Sequence, residues 1–450
     1  MWRDVLRGHN GRITATACLG EAIYAMNVFL VSTAMPSVVR DIGGVRFLAW
    51  VNTLYLIAAI VVGAATGFLK QQLGSRRLML TGAACFAIGS LAAAAAPVMP
   101  VMLIGRTLQG AGEGAIGASA YALLAERLPS KLIPKALGAM AMVWAVGALV
   151  GPLASGLLTE LLSWRVALLM NLPLIAAFAA LVLGSAPPGS AVEASQRLPV
   201  SRLAFLAAGI ILVAIASVAG EIAWLALACG GAALVGVVAA DRLATVRLFP
   251  RDAFRPASQL GAVLWVALLM PLGQASTSVF LPITVQNLWG YRPVVAGIVV
   301  ATMALSWSAS ALLVTLPRGL TPVLCIRAGA ILTALGLAAA TLAIPHHALL
   351  PLLAAQVTIG VGFGLGWGFL NQVGAEAAPE GERDLAAALL PTTQNTGYAL
   401  GAAVAGLIAN ATGYAQELAM GAGHGGVAVF AMGTALAALG ALASLRLKAR

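Results

Sequence analysis

The sequence predicts an all-helical chain that crosses a membrane many times, and three observations predict it. The chain is 61% hydrophobic and only 9% charged, against about 25% charged residues in a soluble domain. Apolar runs of about 20 residues, the length a bilayer-spanning helix needs, recur along the whole chain and leave room for no soluble domain. Lys and Arg gather in alternate loops. With the N-terminus inside, 21 basic residues fall in inside segments and 4 in outside segments. That asymmetry is the positive-inside pattern; it puts both termini in the cytoplasm and makes the helix number even. The net charge of +11 therefore reads as loop orientation, not as nucleic-acid binding.

The spans follow in order as 13–36, 47–69, 77–96, 99–124, 135–160, 165–185, 203–220, 222–240, 258–283, 293–316, 322–343, 348–372, 384–411 and 425–446. The first is long and lacks a cleavage site, so it reads as a retained helix. The fourth is apolar and glycine-rich but carries Arg106 and Glu113. The run 203–240 is nearly uncharged. As one helix it would be about 57 Å long, against a hydrocarbon core of about 30 Å. It must fold back, and Gly220-Glu221 is the turn; this selects fourteen spans over twelve. Cys18, Cys85, Cys229 and Cys325 fall in or beside apolar spans and read as small core residues. No metal cluster or cofactor motif appears.

The chain also repeats. Gly110, Gly112 and Gly114 recur 250 residues later as Gly360, Gly362 and Gly364, and Gly147, Gly151 and Gly156 recur at the same offset as Gly397, Gly401 and Gly406. Gly82 and Gly89 recur at an offset of 247 as Gly329 and Gly336. Repeated halves of this kind are a transporter signature. The predicted domains are a six-helix bundle over 1–185, linkers with an inserted two-helix transmembrane hairpin (203–240) over 186–257, and a second six-helix bundle over 258–450.

Among 26 basic and 15 acidic side chains, only Glu21, Arg106 and Glu113 lie well inside spans. Glu160, Glu221, Asp241 and Arg327 lie near helix ends and reach the interface by extending their side chains. Arg106, Gln109, Gly110 and Glu113 share one helix face at i, i+3, i+4 and i+7. A charge in hydrocarbon costs several kcal/mol, so two on one face need a reason. One is a polar cluster that fixes helix packing; the other is a proton or substrate site on a transport path. Burial disfavours the charged form of a carboxyl and a nearby arginine favours it, which suits Glu113 or Glu21 to carrying a proton, with Arg106 as partner. The alternative for Glu21 is a polar neighbour and no titration.

Other features point less far. Gly360 to Gly368 alternates glycine like a nucleotide loop, but it has no preceding strand and no lysine, and close helix packing explains it better. His346-His347 reads as a solvated loop pair. Asn410-Ala-Thr412 fits a glycosylation sequon too near the membrane to use.

Four stretches match a known family: Ala34-Met-Pro36 with Trp50-Val-Asn-Thr-Leu-Tyr55; the loop GFLKQQLGSRR over 67–77; Arg106-Thr-Leu-Gln-Gly110; and Gly147-Ala-Leu-Val-Gly-Pro152 with Gly156, followed by Trp164-Arg165 and Asn171-Leu-Pro173. Phe280-Leu-Pro282 and Gln286, Gly290, Pro293 and Gly297 add to the match. The chain resembles the major facilitator superfamily, specifically its fourteen-helix drug:proton antiporter branch. The resemblance makes Gly67, Gln71, Gly74, Arg76 and Arg77 the motif A gate, and Gly147, Gly151, Pro152 and Gly156 the antiporter motif C. It makes the first, fourth, seventh and tenth core helices the cavity lining, with Asn27, Gln109, Gln274, Gln356 and Trp367 facing the substrate and Trp144 and Phe363 adding aromatic surface. Three positions depart from the branch: Gln71 for the motif A acid, Asn27 for a first-helix acid and Gln394 for a basic residue.

The resemblance implies a secondary active transporter that exports amphipathic, drug-like small molecules in exchange for protons by alternating access. The cargo would include cations, because Glu21, Glu113 and Arg106 sum to −1 when ionised. The alternative is a proton-independent facilitator, or an exporter of a lipid-like or metabolite substrate, favoured by the departures. A sensor or membrane enzyme is disfavoured by the lack of a catalytic set. The expected partners are the substrate, protons and membrane lipid, with no nucleic acid and no cofactor; the expected setting is a monomer in a bacterial inner membrane.

Overall fold

A computed structural model describes residues 5, 7–129, 132–186, 200–244, 247, 249–255, 257–314, 321–378, 382–420 and 426–448. Arg3, Lys131, Arg197, Arg318 and Arg450 of the charge count, and linker residues 187–199, lie outside the described residues. Those described form helices and no strand. The helices are α1 (Gly8–Ile42), α2 (Leu48–Leu73), α3 (Ser75–Ala94), α4 (Met99–Arg127), α5 (Ile133–Leu161), α6 (Trp164–Leu169), α7 (Asn171–Ser185), α8 (Val200–Ala216), α9 (Ala223–Arg242), α10 (Gln259–Ile283), α11 (Pro293–Leu313), α12 (Pro322–Ala343), α13 (Leu349–Ala377), α14 (Arg383–Ala411), α15 (Tyr414–Met420) and α16 (Val427–Ser444).

Among the described residues, eleven segments are long and apolar enough to cross a membrane. The 29-residue α4 and α14 and the 17-residue α8 occupy the other segments read from the sequence. The segment at 165–185 is broken between α6 and α7. Helix α15 has no counterpart in the sequence reading, because its YAQELAM is too short and polar to register as a span.

Contacts divide the chain into two compact units, one of Met1–Gly43 with Leu54–Leu203, the other of Gly44–Thr53 with Ala204–Arg450. Within each unit the recurring glycines do the same work. On a helix, positions two apart face nearly opposite ways and positions four apart face the same way. In the first unit Gly110 and Gly114 of α4 abut the backbone of α2 at Tyr55 and Ala59, and Gly112 abuts Gly82 of α3. In the second, Gly360 and Gly364 of α13 abut Met303 and Trp307 of α11, and Gly362 abuts Gly329 of α12. Likewise Gly147 and Gly151 of α5 pack on Ala25 and Phe29 of α1, while Gly397 and Gly401 of α14 pack on Leu268 and Leu272 of α10. The repeat legible in the glycines is thus a repeat of packing.

The run 203–240 forms two helices. Their antiparallel seam is small: a β-carbon on Gly230 would lie 2.9 Å from the Gly209 carbonyl oxygen. The pair groups with the second unit, where Val213 and Ala214 pack on Ala403. Ser217, after α8, receives the Trp50 indole N–H at 3.0 Å, and its carbonyl accepts from Asn410 Nδ2 at 2.7 Å. Asn410 Nδ2 is therefore bonded to backbone.

Of the charges near helix ends, Asp241 is not at an interface, and Arg327 reaches the end of another helix. Asp241 is 1% exposed and accepts the Phe249 N–H at 2.8 Å. The linker folds back over it, with Phe249 and Phe254 packed on the second unit's core. Arg327 donates to the carbonyls of Ser444, Leu445 and Leu447 at 3.4, 3.2 and 2.6 Å. A cation capping the C-terminal end of α16 satisfies carbonyls that have no helical partner.

Candidate functional site

The first unit buries all three deep charges. Arg106 is 2% exposed, Glu113 6% and Glu21 9%. Helix α4 can carry Arg106 and Glu113 because its glycines let α2 and α3 approach closely; Glu21 is on α1.

Arg106 Nη1 donates to Gln109 Oε1 at 2.6 Å and to Asn27 Oδ1 at 3.3 Å. Its guanidinium lies over the Tyr55 ring, 4.2 Å from the centroid. Gln109 is held in turn, Nε2 donating to Ser90 Oγ at 2.9 Å. The buried guanidinium thus donates to two amide oxygens and lies on an aromatic face, contacts that suit a cation. Among the described residues Arg106 and Glu113 form no ion pair, as expected of partners too far apart for a firm contact. Seven residues put the two about 10.5 Å apart along the axis, and Gln109, three residues from Arg106, offers a nearer acceptor. Across ~10 Å at an effective dielectric of ~20 the attraction is still about 2 kcal/mol.

Glu113 Oε2 is buried with no hydrogen-bond partner. Glu21 Oε1 accepts from Trp144 Nε1 at 2.5 Å. Trp144 meets Tyr24 and Phe29 edge-on, with centroids 5.2 and 6.2 Å apart. Among the described residues neither glutamate forms an ion pair.

Two glycines of motif C, Gly147 and Gly151, set α5, the helix that carries Trp144, against α1. Ser155 Oγ donates to the Leu30 carbonyl at 2.8 Å. Pro152 lies inside the helix and Gly156 is buried. The motif A loop turns at Gly74, whose φ of 77° favours glycine. Arg76 Nε donates to the Ala186 carbonyl at 2.9 Å after α7, while Gln71 and Arg77 are exposed. Gly67 lies in α2, its surroundings outside the described residues. Lys70 pairs with Glu126 at the end of α4. Because Glu126 is 51% exposed, charge reversal at either residue is expected to cost under about 1 kcal/mol, with the double reversal restoring it. Thermal unfolding of the three variants checks this.

In the second unit Gln274 and Gln356 are buried, and the Oε1 of each has no hydrogen-bond partner. Phe363 is fully buried. It lies 4.9 Å from the Trp307 ring and 6.4 Å from half-buried Trp367, between centroids. Gln394 is half-buried.

Sequence reasoning passed over Tyr55, Ser90, Tyr24 and Trp307 as site residues. Tyr55 was visible only as part of a matched stretch; for Ser90 and Trp307 no pattern singles them out.

The Major Facilitator Superfamily signature matches residues 17–316. A probable multidrug-efflux transporter of Mycobacterium tuberculosis is 32% identical over 463 residues, covering 98% of this chain and 95% of that protein. The puromycin resistance protein of Streptomyces alboniger is 30% identical over 401 residues, covering 85% of this chain and 78% of that protein. Among solved structures, a D-xylose–proton symporter superposes with a TM-score of 0.70 at 16% identity, covering 97% of each chain. The POT family transporter PepTSo superposes with a TM-score of 0.68 at 16% identity, covering 96% of each. At such identities the likeness is one of fold.

Proposed function

Since the chain belongs to the major facilitator superfamily, and is thus an integral membrane transporter and not an enzyme, we propose that it exports amphipathic, drug-like molecules in exchange for protons. The names of the M. tuberculosis and S. alboniger relatives support drug export. The observation that carries proton exchange is Glu113, a buried carboxyl with one oxygen unpartnered and, among the described residues, no ion pair. A bare carboxylate there costs several kcal/mol. Either a proton or a cationic cargo removes that cost, and both cannot occupy the acid together. That competition is what antiport requires.

Arg106 supports the scheme as a fixed charge two turns away. Motif C supports it as a tight α1–α5 seam that holds Trp144 and Glu21 in place. The reading includes fourteen membrane crossings, both termini in the cytoplasm, a bacterial inner membrane and a monomer. Asn27 and Gln394, where the branch carries charge, favour a second reading, a facilitator without proton coupling.

Everted membrane vesicles with an acid interior separate the two. The antiport reading expects uptake of a lipophilic cation that collapses when an ionophore dissipates the pH gradient. Uptake equal with and without the gradient selects the facilitator.

A further inference from the structure

Helix α2 is divided between the two units. Its residues up to Thr53 belong to the second and those from Leu54 to the first. The end of the inserted hairpin helps to hold the first part in the second unit. Ser217 accepts the Trp50 indole N–H at 3.0 Å and gives its own hydroxyl proton to the Ala214 carbonyl at 2.7 Å. A hydroxyl has one proton and an indole N–H only donates, so the direction of each bond is fixed. The Ser217 carbonyl accepts from Asn410 Nδ2 at 2.7 Å, and the same nitrogen donates to the Arg46 carbonyl at 3.1 Å. Both amide protons of Asn410 are thus committed, one to the hairpin and one to the segment before α2.

Apolar packing follows the same joint. Trp50 packs on the cluster of Val213, Ala214 and Ala403. Ala49 is 1% exposed. A β-carbon on Gly406 of α14 would lie 2.7 Å from Ala49 Cβ and 3.8 Å from Ser217 Cβ, so α2, α14 and the hairpin end converge at that glycine. Thr53 Oγ1 reaches the Ala399 carbonyl at 3.3 Å. In the proposed topology all three ends lie on the outer side. A helix shared by two units must let go of one of them when the units move.

We propose that the inserted hairpin is a latch: Ser217 holds the start of α2 in the second unit through Trp50, and loss of that bond releases it. The use of the latch in transport rests on alternating access; its test needs neither cargo nor a proton gradient. The reporter is Ala49→Cys in the full-length protein in lipid nanodiscs, with Cys18, Cys85 and Cys229 replaced by Ala and buried Cys325 retained. Position 49 meets a maleimide only when α2 has left α14. Where relatching outpaces labelling, the labelling rate follows the released fraction. Ser217→Ala keeps the backbone carbonyl and removes the acceptor; it should speed labelling at position 49 about fivefold, the factor of one hydrogen bond. Trp50→Phe should do at least as much in the native background. Its effect should shrink about fivefold once Ser217 is Ala, because the two variants break one bond. Labelling of Cys325, in the same unit, should not change.

A change below about 1.5-fold in both single variants overturns the latch. So does a Trp50→Phe effect that is equal in the two backgrounds. Equal speeding at Cys325 marks general loosening and overturns it too. Should Ala49→Cys fail to fold, Thr53→Cys, fully buried one turn further along α2, is the reporter instead. Native vesicles that ignore pH, together with Ser217-dependent labelling, would sink antiport and leave the latch standing.

Discussion

Replacing Glu113 by Gln is expected to reduce pH-driven export to the level of vesicles lacking the protein, with folding intact. The side chain keeps its shape and becomes permanently neutral, like the protonated acid. Folding should survive because Glu113 Oε2 makes no hydrogen bond that the change would remove. Burying a neutral amide also costs far less than burying a carboxylate. Export should fail because the cycle needs both states. Loss of the proton must restore a negative charge that draws the next cargo, and Gln never regains it.

Arg106 sharpens the switch without touching the acid. Its guanidinium is committed to Gln109, Asn27 and the Tyr55 ring, so it stays in place while Glu113 changes charge. Protonation of Glu113 removes an attraction of about 2 kcal/mol, and it biases two conformations only by the amount that attraction differs between them. The assay is uptake into everted vesicles against an imposed gradient, with thermal unfolding as the folding control. Undiminished uptake by Glu113→Gln moves the role to Glu21. Undiminished uptake by the double variant removes both acids from the coupling.

How much of this was legible beforehand depends on the range of the interaction. Helix positions, the break inside 203–240 and the glycine repeat follow from local rules of length, hydropathy and spacing. So does the isolation of Glu21, Arg106 and Glu113 as the deep charges. What was not legible was pairing. Arg106 and Glu113 share a helix face, yet the guanidinium is held by Asn27 of α1 and Tyr55 of α2, partners 79 and 51 residues away in the chain. Asp241 was not legible for the same reason. Its burial depends on a linker that returns Phe249 to it, with Phe254 at a φ of 56°, a conformation no periodicity announces. The contact of Trp144 with Glu21, 123 residues apart, was likewise invisible until motif C brought α5 onto α1.

The close approach of α4 to its neighbours leads to the largest expected effect on stability. A methyl group added at Gly110 would collide with the carbonyl of Tyr55, its carbon and its Cα, all of them backbone. Backbone inside a helix cannot swing aside as a side-chain tip does, so α2 and α4 must separate. Overpacking of this kind typically costs about 1–3 kcal/mol and occasionally more. The displaced residue is also the one whose ring lies 4.2 Å from the Arg106 guanidinium, so Gly110→Ala should impair transport along with stability. Gly117, seven residues on, supplies the control on the same helix. There the new methyl meets only the flexible end of Glu113, and alanine is the better helix former by about 1 kcal/mol, so Gly117→Ala should unfold at or above the native temperature. The repeat extends the argument to the second unit: Gly360 meets the Met303 carbonyl and the Ser306 side chain as Gly110 meets Tyr55, and Gly360→Ala should destabilise similarly. Thermal unfolding of the three purified variants reads this directly. Equal unfolding temperatures for Gly110→Ala and Gly117→Ala would mean that α4 and α2 are not in backbone contact, and that the support beneath Arg106 lies elsewhere.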